Sequence, residues 1–178
     1  SRLPLAGFDV IIFRANPPLD LIALNFLDSV RDDVFIMNDI EGLRIANNKL
    51  YTASFDDPGN KFIPVTHVSK TPEYLEEVLR ESKTDKMIMK PLDGYGGAGV
   101  ILVEKHAQKS FHSLLEFYIN SGEGGNYVIL QEYVEGADLG DVRVLMLNGE
   151  PIGAMKRVPS EGDVRSNIHA GGTVAKHT

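Results

Sequence analysis

The residues best placed to do chemistry form the string Met89-Lys90-Pro91-Leu92-Asp93-Gly94-Tyr95-Gly96-Gly97-Ala98-Gly99-Val100, which packs four glycines into six positions between two apolar runs. Glycine tolerates positive φ and leaves the backbone N–H groups uncovered, so such a turn can wrap an anion. Lys90, at the end of the first run, sets a fixed cation against the same anion. No Gly-Lys-Ser/Thr follows, so this is not a P-loop, and Val100-Ile101-Leu102-Val103 is strand-like, so it is not a dinucleotide-binding turn. The pattern predicts a strand–loop–strand flap over phosphates. A plain flexible hairpin is also glycine-rich; the lysine and the flanking strands favour the phosphate reading.

Other residues could join it. Lys49 follows Asn48, though a lone surface lysine is usually only solvated. Gln131-Glu132-Tyr133-Val134 closes an apolar run, where main-chain groups can read an adenine edge while apolar side chains sandwich the ring. An edge strand with polar ends explains that string equally well. Arg143, Lys156, Arg157 and Arg165 form a cationic set, and forked guanidinium groups suit carboxylates and phosphates. Arg143 and Arg157 fall on the two arms of a hairpin around Asn148-Gly149, close enough to converge. His67, His106, His112, His169 and His177 have no metal-site spacing and read as surface residues.

The elements that must position these groups follow from periodicity and breakers. Residues 8–14 read as a buried strand delivering Arg14, and Asn16-Pro17-Pro18 breaks the chain. Apolar spacing over 19–31 predicts a helix, 34–37 a second strand, and Asn38 or Asp39 the cap of another helix. Strand, helix, strand, helix suggests a parallel α/β unit. A short helical stretch starts at 47–49 and ends at Asp57-Pro58-Gly59, with a strand over 62–68. Thr71-Pro72 opens a helix running to about Ser82. Strands are expected at 87–90, 99–104 and 127–134, a helix at 110–119, a glycine-rich turn at 121–126, and hairpin arms at 141–147 and 151–158. Residues 159–172 are polar and glycine-rich.

Bulk properties narrow the classes. The chain has 178 residues, 43% hydrophobic and 24% charged, which is ordinary globular composition. A net charge of -7 argues against bulk nucleic-acid binding but not against a nucleotide, for which a few local cations suffice. The absence of cysteine excludes disulfides, thiolate metal sites and a cysteine nucleophile, and fits a cytoplasmic protein. No apolar run is long enough for a membrane span, and no signal peptide is visible. The start at Ser1-Arg2-Leu3-Pro4 and the stop at Lys176-His177-Thr178 read as two cut ends, so a fragment or processed chain is expected.

The order of the strings N-N-K-L-Y-T, M-K-P-L-D-G-Y-G-G-A-G-V, L-Q-E-Y-V, D-V-R-V-L-M-L-N-G-E-P-I and R-S-N-I-H-A-G-G resembles the ATP-grasp superfamily. More narrowly it resembles the bacterial glutathione synthetase family, and Phe13-Arg14-Ala15-Asn16-Pro17-Pro18-Leu19-Asp20 is similar to that family's substrate-side segment. The resemblance runs from about Phe8 to Gly172. It implies an α/β (α+β) ATP-grasp fold in which two subdomains clasp ATP. Residues 1–46 would end an N-terminal α/β domain, 47–133 form the small lid subdomain, and 134–178 begin the large one.

By the same resemblance, Lys49 and Lys90 match two ATP lysines, and Gly94, Gly96 and Gly97 the phosphate flap. Gln131, Glu132, Tyr133 and Val134 match the adenine hinge, and Asp141 lies near nucleotide and substrate. Arg143, Arg157 and Arg165 match catalytic cations near the dipeptide carboxylates and the transferred phosphate, with Arg14 on the substrate side. Ser166, Asn167, Ala170, Gly171 and Gly172 match the loop over the acceptor site. The implied substrates are ATP, γ-glutamylcysteine and glycine, with Mg²⁺ as cofactor and a homo-oligomer compatible with the full-length protein; neither nucleic acid nor membrane is an expected partner. The family's metal carboxylates fall after the covering loop, so no metal ligand is named here and the chain alone is expected to be inactive or nearly so. A ribosomal-protein-modification-like glutamate ligase shares several of these strings and is the alternative enzyme. A non-catalytic nucleotide-binding module is the alternative of a different class.

Overall fold

The computed structural model describes residues 2–121 and 124–177. The chain divides into two compact units, Ser1–Phe55 and Asp56–Thr178. In the first unit, β1 (Val10–Ile12) pairs in parallel with β2 (Phe35–Met37), Ile11 opposite Ile36. Parallel strands need a crossover, which α1 (Leu21–Asp28) supplies. Asp20 caps α1, its carboxylate accepting from the N–H groups of Ile22 at 2.8 Å and Ala23 at 3.3 Å. Asp39 caps α2 (Ile40–Ala46) through the N–H of Gly42, which settles the choice between Asn38 and Asp39. Leu24, Leu27 and Ile40 form a small core with Ile11, Phe13, Leu19, Ile36 and Leu43 packed on it. The expected strand over 8–14 is confined to Val10–Ile12, where β2 offers only Phe35–Met37 as a partner, and the helix over 19–31 ends at Asp28, where turns follow.

A third helix, α3 (Leu50–Ala53), is a single turn. It stops well before Asp57-Pro58-Gly59, because Ser54 turns its N–H (3.2 Å) and hydroxyl (2.7 Å) back onto the Tyr51 carbonyl.

The second unit holds a four-stranded sheet in the order β3 (Thr66–Ser69), β6 (Val128–Glu132), β4 (Lys86–Pro91), β5 (Ile101–Glu104), with every pairing antiparallel. Two helices cover one face. On α4 (Pro72–Glu81), Leu75 and Leu79 recur at helical spacing; on α5 (Gln108–Asn120), Phe111, Leu115 and Ile119 do so. These side chains meet Met87, Met89, Val103, Val128 and Leu130 in the main core. Alternation then turns Thr66, Ile88, Lys90, Leu102, Ile129 and Gln131 to the other face.

The strand expected over 62–68 is confined to 66–69. Asp57 captures the backbone N–H groups of Lys61 (3.2 Å), Phe62 (2.8 Å) and Ile63 (2.7 Å), and Pro64 has no N–H to give a ladder. These bonds also hold the Asp57 carboxyl below its ordinary pKa, the Ile63 N–H contributing most. Of the glycine-rich turn over 121–126, Gly122 and Glu123 lie outside the described residues.

A separate three-stranded sheet follows in the order β7 (Asp141–Leu147), β8 (Glu150–Val158), β9 (Thr173–Lys176), all antiparallel. Asn148 (φ 50°) and Gly149 (φ 83°) make the left-handed pair that the Asn-Gly turn predicts. Strand β9 was not foreseen in the sequence. Among the described residues, no helix is long and apolar enough to cross a membrane.

Candidate functional site: a lysine, a glycine flap and an arginine loop

Lys90 lies one residue before the end of β4, on the sheet face that carries no helix. Register places Ile88 opposite Gln131 and Lys90 opposite Ile129, so Lys90 and Gln131 are diagonal neighbours on that face. The Lys90 ammonium donates to Gln131 Oε1, and Gln131 Nε2 donates to Thr66 Oγ1 at 2.8 Å. Both side chains are half-buried beside the apolar floor of Ile88, Leu102 and Ile129. A cation held over an apolar, strand-built floor suits a ligand with an anionic end and a flat apolar end.

The chain leaves β4 through the flap. Gly94, Gly96, Gly97 and Gly99 all have positive φ, from 65° to 122°. At Gly97 the lack of a side chain is required twice over. Its φ is +85°, and a Cβ there would lie 2.8 Å from Asn167 Oδ1 and 3.4 Å from Arg165 Cδ. A Cβ on Gly96 would similarly come within 3.3 Å of His169. The flap therefore rests against the loop at 163–172, about seventy residues further along the chain.

That loop is built around an ion pair. Arg165 approaches both Asp163 oxygens, Nε at 3.0 and 3.1 Å and an Nη at 2.7 Å, and the Arg165 N–H donates to the same carboxylate at 2.9 Å. The Arg165 guanidinium holds the Asp163 carboxyl down to about 2. The other Nη reaches the Gly97 carbonyl at 3.5 Å. Ser166 is buried at 6% exposure, and Asn167 accepts backbone N–H bonds from Ala170 (2.9 Å) and Gly172 (3.1 Å), with Gly171 bonded to Ile168 at 3.0 Å. The five residues expected to form a cover thus form one tight turn facing the flap.

On β7 and β8, Asp141 pairs with Arg157 and Arg143 with Met155. Asp141, Arg143 and Arg157 therefore share a sheet face. The two arginines differ in freedom. Arg157 is bound two-pronged by Asp141, at 2.7 and 2.6 Å, which raises its pKa, whereas Arg143 is exposed. This pairing also fixes the place of Asp141. The preceding residue must be Gly140, since a Cβ there (φ +108°) would fall 2.2 Å from the Arg157 carbonyl oxygen.

Glu132 ends β6 opposite Met87, on the helix-bearing side. There it lines a cavity of about 520 Å³ together with Val65, His67, Val78 and Lys83. Tyr133 and Val134 lie just past the strand rather than in it. Lys49 and Arg14 belong to the first unit: Lys49 precedes α3 and Arg14 is exposed after β1. Sequence reasoning missed Thr66, Asp163 and His169. Thr66 and Asp163 act on a site residue through a side-chain bond, and His169 packs against the flap; no short string announces either kind of role.

A magnesium ion would need several oxygen ligands converging on one point. No group of three or more His, Asp or Glu side chains is placed to hold a metal among the described residues. Asp141 and Asp163 are taken up by arginines. The described residues do not make up such a site.

A helix-backed antiparallel sheet, a glycine flap and a second antiparallel sheet bearing cations define the ATP-grasp class. Solved structures agree on the fold. D-cycloserine synthetase DcsG superimposes with a TM-score of 0.67 at 21% identity over 97% of this chain and 61% of that one. A RimK domain ATP-grasp protein from Sphaerobacter thermophilus does so at 0.64 and 19% identity, over 84% of this chain and 55% of that one. The pattern of the prokaryotic glutathione synthetase ATP-grasp domain matches residues 48–178, and that of the same family's N-terminal domain matches 1–44. The chain belongs to the prokaryotic glutathione synthetase family. It is 38% identical to the glutathione synthetase of Gloeobacter violaceus, over 98% of this chain and 54% of that protein. It is 35% identical to that of Agrobacterium fabrum, over 97% and 52%. The chain spans about half the length of the curated relatives it matches.

Proposed function

We propose that this chain supplies the nucleotide flap and the arginine loop of a cytoplasmic ligase that joins γ-glutamylcysteine to glycine at the expense of ATP. One observation carries the reading: Lys90 stands on an apolar sheet face at the root of a glycine flap that already contacts Arg165 and Asn167. Phosphates under the flap would meet backbone N–H groups and the Lys90 ammonium, with the ring of adenine along the floor toward Gln131, Tyr133 and Val134. Lys49 is the second proposed phosphate lysine, and Gly94, Gly96 and Gly97 form the moving cover.

In the proposed reaction the γ-phosphoryl group passes to the cysteinyl carboxylate and ADP leaves. The glycine amine then attacks the acyl carbon, phosphate departs, and the amine gives up a proton. The chain's own contribution is positioning and charge stabilisation. Arg165 is aimed by Asp163 at the flap side of the reaction, and Arg143 and Arg157 lie on one face for the substrate carboxylates. Arg14 would serve the dipeptide, and the turn of Ser166, Asn167, Ala170, Gly171 and Gly172 would shield the acyl phosphate from water. Residues 1–46, 47–133 and 134–178 would be the end of an N-terminal domain, the lid and the start of the large subdomain. Mg²⁺ would be held by residues other than these.

The test is ADP release by the complete protein with γ-glutamylcysteine and one amine at a time. Glycine-dependent release supports the proposal. Release that responds to glutamate and not glycine would replace it with a glutamate ligase. Nucleotide binding with no release for any amine would favour a non-catalytic module.

A further inference from the structure

Thr66 stands twenty-four residues before Lys90 and does not adjoin it in the sheet, since β6 lies between β3 and β4. It nonetheless closes a directional chain of hydrogen bonds that ends on that lysine. The Thr66 hydroxyl donates to the Pro64 carbonyl at 2.7 Å. A hydroxyl has one proton, so with that proton committed Thr66 Oγ1 meets Gln131 as an acceptor. Gln131 must then point its NH₂ at Thr66, at 2.8 Å, which turns its carbonyl oxygen toward Lys90. Lys90 is donor-only, so this is the one amide orientation that serves both neighbours. Register supports it: Thr66 is the direct cross-strand partner of Gln131, and Gln131 is the diagonal neighbour of Lys90. All three side chains are half-buried, where a mismatched amide loses more than it would in water.

We propose that Thr66 is a positioning residue for the nucleotide: through Gln131 it fixes the place of the Lys90 ammonium before any phosphate arrives. An ammonium has three donors, so Lys90 can keep its bond to Gln131 and still meet a phosphate. The gain is preorganisation, a lysine that has already surrendered its rotamer freedom. The inference rests on the ATP reading above, and its test separates the two.

Dissociation constants for ADP would be measured by calorimetry on the full chain as wild type, Thr66→Val, Thr66→Ser, Gln131→Leu and the Thr66→Val/Gln131→Leu double variant, with the melting temperature of each. Loss of one such bond should weaken ADP about 3- to 10-fold in Thr66→Val. Thr66→Ser keeps the hydroxyl and should bind like wild type. Gln131→Leu should be weakened to a similar degree, and Thr66→Val should add nothing on top of it, because both act through one chain. The Gln131 side-chain amide signals in nitrogen-15 spectra should move in Thr66→Val and return in Thr66→Ser. Wild-type affinity in Thr66→Val, or losses that simply multiply in the double variant, would overturn the inference while leaving ATP binding intact. No ADP binding by wild type would instead overturn the ATP reading. If Thr66→Val does not fold, Gln131→Leu carries the test: unchanged affinity there overturns the proposal equally.

Discussion

Three cations of the candidate site are each held by a side-chain acceptor. Lys90 has Gln131, Arg157 has Asp141, and Arg165 has Asp163. The last pair has a definite pH signature. The Asp163 carboxyl falls from 3.8 to about 2 when folded, chiefly through the side-chain bond to Arg165. A depressed folded value means the ionised pair favours the fold above pH 3.8, and the benefit fades as pH falls through about 2. Wild type should therefore melt higher than Asp163→Asn at pH 6, and the two curves should converge near pH 2, which a series of thermal melts would follow. A constant gap down to pH 2 would show that the carboxylate charge is not what holds Arg165. The arginine pairings themselves were not legible in the sequence. Asp163 and Arg165 are close in the chain, but many such pairs on a polar loop face only water.

At the scale of elements, periodicity read well where the helix or strand is amphipathic. The Thr71-Pro72 start, the α5 stripe and the Asn148-Gly149 hairpin all follow from local chemistry. It read poorly where a side chain competes with the backbone ladder. Asp57 takes the N–H groups that a strand over 62–68 would need, and its effect is invisible without the fold. Strand β9 is similarly short and is defined by pairing with β8 rather than by its own pattern. The packing of α5 gives a quantitative expectation. Leu115 is fully buried in the core that supports β4 and β6. Leu115→Ala should cost about 2–5 kcal/mol of unfolding free energy in denaturant titrations. A loss under about 1 kcal/mol would mean that the helix does not hold the sheet under Lys90.

At the scale of the whole molecule, the flap and the arginine loop come from distant stretches and meet within one unit, Asp56–Thr178. The order of their strings made the family legible, because an ordered set of motifs carries information that no single glycine turn holds. What no string conveyed is the direct contact of Gly97 with Asn167 and Arg165, which depends on how the two sheets of that unit lie together. The β7–β9 sheet adds no buried hydrophobic residue among those described, and Leu145, Met146, Leu147 and Ile152 are exposed on it. The central claim is that Lys90 and the flap make a nucleotide-phosphate site. It is tested most directly by titrating ATP into the wild-type chain and into Lys90→Met, which keeps the length of the side chain and removes its charge. The account predicts saturable binding by wild type and affinity at least about tenfold lower in Lys90→Met at equal melting temperature. Equal affinity in the two proteins, or no binding by a folded wild type, would contradict it.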